Sequence, residues 1–113
     1  MLGEAIVRGD AGPNTIATVY AAAIAERSRR DGTPLATLIG RVSAHEIGHL
    51  LLGANNHSLH GLMRPKWDVT RAGADDWLFS RVDADTIRHN LAVRAATRSA
   101  AAIGGDSFEE LGD

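Results

Sequence analysis

The chain contains no cysteine among its 113 residues. Disulfides are therefore excluded, and so is any metal site built on thiolates. Aromatic residues make up only 4% of the sequence, so few large side chains are available to fill a core. Much of the 44% hydrophobic content is alanine, which favours helix but buries little area. No apolar run approaches the roughly 20 residues that cross a bilayer. The N-terminus lacks the charged and then apolar pattern of a secretory signal. As given, the chain reads as cytoplasmic; secretion is the alternative for an N-terminally truncated form. Neither sign of charge dominates, with 12 basic and 14 acidic residues and a formal net charge of −2. Arg27, Arg29 and Arg30 cluster, but at an expected helix end, where cations complement the helix dipole. Nothing here favours nucleic acid or membrane as a partner.

What remains is a small, alanine-rich chain of one expected domain, residues 1–113. Residues 4–8 suit a short strand, followed by a turn over 9–13. Asn14 suits an N-cap, and the spacing of Ile16, Val19, Tyr20, Ala23 and Ile24 predicts a helix over 15–30. Gly32 suits its left-handed cap. Thr33 and Pro34 then open a second helix to about residue 52, buried through Leu35, Leu38, Ile39, Val42, Leu50 and Leu51 and closed by Gly53. Its second half is apolar on nearly all sides, as in a helix through the middle of a domain. Residues 54–66 have loop composition. Asp68 is expected to cap a short helix to about residue 75. Asp83 is expected to cap a last helix over 84–100, with Ile87, Leu91, Ala92 and Ala95 inward. Residues 104–113 are acidic, Gly-rich and expected to fray. The predicted fold is mainly α, with three principal helices, the second through the core, and at most one or two short strands.

The chemistry is concentrated in the second helix. His45-Glu46-Ile47-Gly48-His49 is an H-E-x-x-H motif. Two histidines four apart on a helix share a face, so their imidazoles can take two corners of a zinc tetrahedron. A third ligand must come from elsewhere, leaving one position for water. Glu46 lies beside that water and can take its proton. Among third ligands His57 leads, because Gly53 lets the chain reverse at the helix end. His60 is an alternative, and a carboxylate from Asp75, Asp76, Asp83 or Asp85 is another. His89 has no partner pattern and is expected to be exposed. Tyr20, His60 and Arg64 are candidates for stabilising an oxyanion.

This arrangement, followed by a Met-containing turn at Met63, resembles the metzincin clan of zinc endopeptidases. The clan pattern is H-E-x-x-H-x-x-G-x-x-H with a downstream Met-turn. Residues 45–67 also resemble small predicted bacterial metallopeptidases with an H-E-I-G-H-L-L-L-G…H-S…G-x-M-R-x-x-W string. The resemblance implies one zinc ion held by His45, His49 and His57, with Glu46 as general base, Gly53 as the turn residue and Met63 as the floor beneath the metal. It further implies a peptide or protein substrate. Here three residues, not two, separate His49 from Gly53, and three more separate Gly53 from His57. Metzincin-type domains lay the substrate along an edge strand preceding the active-site helix. The fold expected on that basis is a truncated zincin-type α+β domain or a minimal helical peptidase. Two other functions fit the same residues: a noncatalytic helical domain stapled by structural zinc, and a metal-free helical interaction module. Substrate sequence and oligomeric state are not encoded in any pattern found.

Overall fold

The computed structural model describes residues 1–7, 15–68 and 73–104. Its elements in chain order are β1 (Gly3–Ile6), β2 (Ile16–Val19), α1 (Ala21–Asp31), α2 (Leu35–Leu52) and α3 (Arg81–Gly104), with a single 3-10 turn at Ala74–Trp77 before α3. The fold is mainly helical with a two-stranded antiparallel sheet, as expected from the sequence. No helix among the described residues is long and apolar enough to cross a membrane. The turn expected over 9–13, the cap at Asn14 and the end beyond Gly104 lie outside the described residues.

The first helix differs from its expected span. Ile16–Val19 is a strand, paired with β1 in the register Gly3↔Val19 to Ile6↔Ile16. Thr15, Ile16, Thr18 and Val19 are all β-branched, and their stiff side chains favour a pleated surface over a helix. The 3–4 spacing that suggested a helix there is fortuitous. Ile16 and Val19 are exposed, and only Ile24 of that stripe is buried in α1. Gly32 ends α1 at φ 72°, as its position predicted.

The sheet and α1 both lie against α2. Ile24, Leu38 and Val42 form the packed centre, with Leu2 and Trp67 against it. Each such aliphatic side chain contributes about 1.5–3 kcal/mol by leaving water. Pro34, extended rather than helical, supplies the first accepting carbonyl of α2 through Leu38 N (3.0 Å). The helix thus starts one residue later than the Thr33–Pro34 pair suggested. It is also less enclosed than its composition implied. Leu35 and Ile39 are exposed, and Ile47 is 46% exposed, because the elements packed on α2 do not surround it.

The C-terminal carbonyls of α2 are satisfied by α3. Asn90 Nδ2 donates to Leu51 O (3.0 Å) and Leu52 O (3.2 Å), and Arg94 donates to Leu50 O (2.7 Å). These are groups that a helix leaves without internal partners. The helix α3 begins at Arg81, not after Asp83. Its cap is Ser80, whose Oγ accepts from Asp83 N (3.1 Å), the usual Ser role three residues ahead. Ile87 is buried as expected, whereas Leu91, Ala92 and Ala95 are exposed; it is Asn90 and Arg94 that α3 turns toward α2 there. Of the helix expected from Asp68 to about residue 75, residues 69–72 lie outside the described set, and Ala74–Trp77 forms the 3-10 turn.

Candidate metal centre

Helix α2 carries His45, Glu46 and His49 on its buried side. His45 Nδ1 lies 2.8 Å from Leu62 O, and His49 Nδ1 lies 3.0 Å from Ala54 O. A carbonyl only accepts, so each Nδ1 carries the proton and each Nε2 keeps a free lone pair. This outer hydrogen bonding is the pattern that orients metal-binding histidines. Both acceptors arise from local turns. Gly53, at φ 73°, reverses the chain so that Gly53 N and Ala54 N both donate to His49 O (2.9 and 3.2 Å). That reversal turns Ala54 O onto the His49 ring. Leu62 sits in a turn tied to the segment before α3 by Leu62 N to Leu78 O (2.7 Å).

The third histidine arrives from the loop after Gly53. The His57 ring centroid lies 5.3 Å from that of His45 and 4.9 Å from that of His49, and the latter two are 4.9 Å apart. The three form a near-equilateral group whose ligand nitrogens all lie within 4.8 Å of one another. Together they could hold a metal ion. A tetrahedral centre with bonds of about 2.0–2.1 Å sets nitrogens roughly 3.3 Å apart. The closing movement is available from His57, which is exposed and, among the described residues, has no carbonyl fixing its ring. Burial pushes the His45 imidazole below its usual pKa, partly offset by the bond to Leu62 O. Desolvation in the cleft lowers His57 as well. Both shifts favour the neutral rings that bind metal.

Met63 is completely buried directly against α2. A Cβ built on Gly48 would lie 2.6 Å from Met63 Sδ and 2.8 Å from Phe79 Cε1. Only glycine at this position lets the Met63 turn approach the helix so closely. Trp67 closes the other side. Its ring stands edge-on to His45, with centroids 5.4 Å apart, and its Nε1 donates to Leu62 O (3.3 Å), the same carbonyl that holds His45. Trp77 packs on Trp67 in turn and carries the Arg41 guanidinium 3.8 Å above its ring.

Glu46 is buried between α2 and β1. A Cβ on Gly3 would lie 3.0 Å from Glu46 Oε2, so the absence of a side chain there makes room for the carboxylate. Burial raises the Glu46 pKa, with His49 opposing that shift and Glu4 adding to it. A carboxyl held above its usual range is a better proton acceptor at neutral pH. Glu46 and the three histidines line one cleft of about 660 Å³, together with residues 1–5 and with Arg64, Pro65, Lys66 and Trp67. The strand β1 is an edge strand. Tyr20 N donates to Leu2 O (2.9 Å), so residues 2, 4 and 6 bond toward β2 and the N–H and C=O of Gly3 and Ala5 point outward.

The remaining sequence candidates lie elsewhere. His60 is exposed and borders a separate surface depression with Asp75, Asp76 and Asp83. Asp76 pairs with Arg64 (3.1 Å), Asp83 accepts from Ser58 Oγ (2.6 Å), and Asp85 pairs with Arg88 (2.9 Å). None of these joins the histidine group. His89 is exposed, as expected. Arg64 reaches the cleft but is committed to Asp76 and to the carbonyls of Gly61 and Asp76. The Glu4 carboxylate beside it raises the pKa of the Tyr20 hydroxyl. Sequence reasoning missed Gly3 and Glu4 as parts of the site, and it carried Gly48 and Trp67 only as letters of the matched string, with no role at the histidines. Of these, Gly48 had a signal, a glycine inside a helix, where it is costly without a packing reason.

Comparison with protein-family models, with curated proteins and with solved structures finds no match to this chain.

Proposed function

We propose that the chain is a zinc-dependent metallopeptidase. The observation that carries this reading is the meeting of His45, His49 and His57 with the Glu46 carboxylate in one cleft beside the outward-facing edge of β1. His45, His49 and His57 would hold the ion through imidazole nitrogens, a donor set that suits zinc. Bound zinc supplies a Lewis-acidic centre that brings the pKa of a water near neutrality and polarises a carbonyl. Glu46 accepts the proton of the attacking water on a carboxylate oxygen. It then delivers that proton to the amide nitrogen as the C–N bond breaks. The outward N–H and C=O of Gly3 and Ala5 bind the substrate backbone as an added strand. They thereby set the scissile carbonyl against Glu46, a positioning effect that supplies much of the rate.

His60 bears on the alternative of a structural zinc. Structural sites usually close four protein corners. His60 lies apart from the three histidines, which favours a centre with a position left for substrate. The test compares the wild type with Glu46→Gln after zinc loading. The expected result is about one zinc per chain in both, with hydrolysis of unstructured peptide reduced at least ~100-fold in the variant. Equal hydrolysis by the two, or zinc-loaded wild type that cleaves no peptide, overturns the proposal.

A further inference from the structure

We propose that the site selects peptides carrying a positive charge, a Lys or Arg side chain, at the residue that pairs with Glu4. This inference rests on the peptidase reading and adds the substrate class to it. The strand β1 presents two backbone pairs outward, at Gly3 and Ala5, with Glu4 between them. A peptide added to that edge places one residue directly opposite Glu4, in the pairing where side chains of the two strands stand closest, roughly 5 Å between Cβ atoms. Side chains of directly opposed residues share a face of the sheet.

That face is settled by the neighbours of β1. Gly3 points at Glu46 and therefore toward α2. Glu4 points the other way, where it is exposed. Tyr20, on the same face of the adjoining chain, lies near enough for the Glu4 carboxylate to raise the pKa of its hydroxyl. Glu4 has no basic partner among the described residues. Gly3 and Ala5 on either side carry no side chain that could compete for the substrate residue. Among the other residues lining the cleft, Arg27 pairs with Asp31 and Arg64 pairs with Asp76. Lys66 is exposed and has no ion pair among the described residues. Two of the basic residues in the lining are thus neutralised within the protein, while the Glu4 carboxylate on β1 is left to draw a cationic side chain of the added peptide.

The test uses the full zinc-loaded chain and peptides that differ only in bearing Lys, Gln or Glu at successive positions around a cleaved bond. Wild type is expected to prefer Lys at one position by about 5-fold in kcat/KM, as for a favourable cross-strand charge pair, with the preference shrinking in high salt. Glu4→Gln is expected to erase it, and Glu4→Lys to turn it toward Glu. A parallel measurement titrates the same peptides, fluorescently labelled, into zinc-loaded Glu46→Gln protein with and without the Glu4 changes. It reads the charge preference in Kd without hydrolysis. Cleavage with no charge preference, or with one unchanged in Glu4→Lys, overturns the inference and leaves the peptidase reading standing. A Glu4-dependent charge preference in Kd without any cleavage by wild type supports the inference and overturns the peptidase reading alone. Absence of the preference in both measurements overturns the inference.

Discussion

His45 and His49 on one side and His57 on the other reach the same point by different routes. The first two are buried on α2, with their protonated nitrogens held by Leu62 O and Ala54 O. The third is exposed on the loop after Gly53 and, among the described residues, has no such carbonyl. Two of the three candidate ligands are therefore fixed through their own rings, whereas the third is placed by its loop, which is anchored next to it by Ser58 N to Met63 O (2.9 Å) and Ser58 Oγ to Asp83 (2.6 Å). The division assigns different consequences to changes at each. Altering the helix pair disturbs the core as well as the metal, whereas altering the loop ligand disturbs the metal alone.

The largest expected effect separates the two kinds of ligand. His45→Ala and His57→Ala should each weaken zinc binding by more than the 10- to 100-fold that loss of an outer hydrogen bond costs, measured by competition with a chromophoric chelator. In chelator, however, His45→Ala should lower Tm, because it empties a buried site and removes the shorter of the two hydrogen bonds to Leu62 O, leaving only that from Trp67 Nε1. His57→Ala should leave that metal-free Tm within about a degree. Equal destabilisation by both would break the comparison.

A smaller effect is expected beneath the helix pair. Gly48→Ala would drive a methyl group against Met63 Sδ and the Phe79 ring. Overpacking of this kind costs about 1–3 kcal/mol, which denaturant unfolding would register. Because Met63 follows Leu62 in the turn that holds His45, zinc affinity should fall with stability. Unchanged stability would mean that the Met63 turn does not press on α2.

The smallest effect is on pH dependence in the absence of metal. Burial lowers the folded-state pKa of His45, and desolvation lowers that of His57. The unfolded chain then binds these protons first, so stability falls as pH drops through the ordinary histidine range toward the folded values. Glu46 acts with the opposite sign. Its raised folded pKa means that its contribution is present below the ordinary carboxylate range and is lost as pH rises through the folded value. Tm against pH in chelator should therefore decline on acidification below the ordinary histidine range and flatten where Glu46 takes its proton. His45→Ala should remove more of the decline than His57→Ala.

The parts of the site that were legible in the sequence are those encoded within one turn of helix or one loop. The spacing of His45, Glu46 and His49 sets them on one face whatever surrounds them. Gly53 announced the reversal that returns His57. The carbonyls of Leu62 and Ala54 left no trace, because any residue supplies a backbone acceptor and only the turns decide where it points. The strand β2 was misread because Ile16 and Val19 satisfy a helical spacing by chance, and their β-branched character outweighs it once Leu2 offers a pairing partner at Tyr20. The role of β1 was hidden for the same reason. A four-residue strand has little pattern, and Gly3 gains its meaning only from the carboxylate of Glu46 that it accommodates.

The central claim is that three histidines hold one zinc and leave a position for substrate. X-ray absorption at the zinc edge on the purified, zinc-loaded chain tests it most directly. The account predicts one zinc per chain with three imidazole nitrogens at about 2.0–2.1 Å and at least one further oxygen ligand. Four imidazoles at the metal, or a spectrum unchanged in His57→Ala, would contradict it.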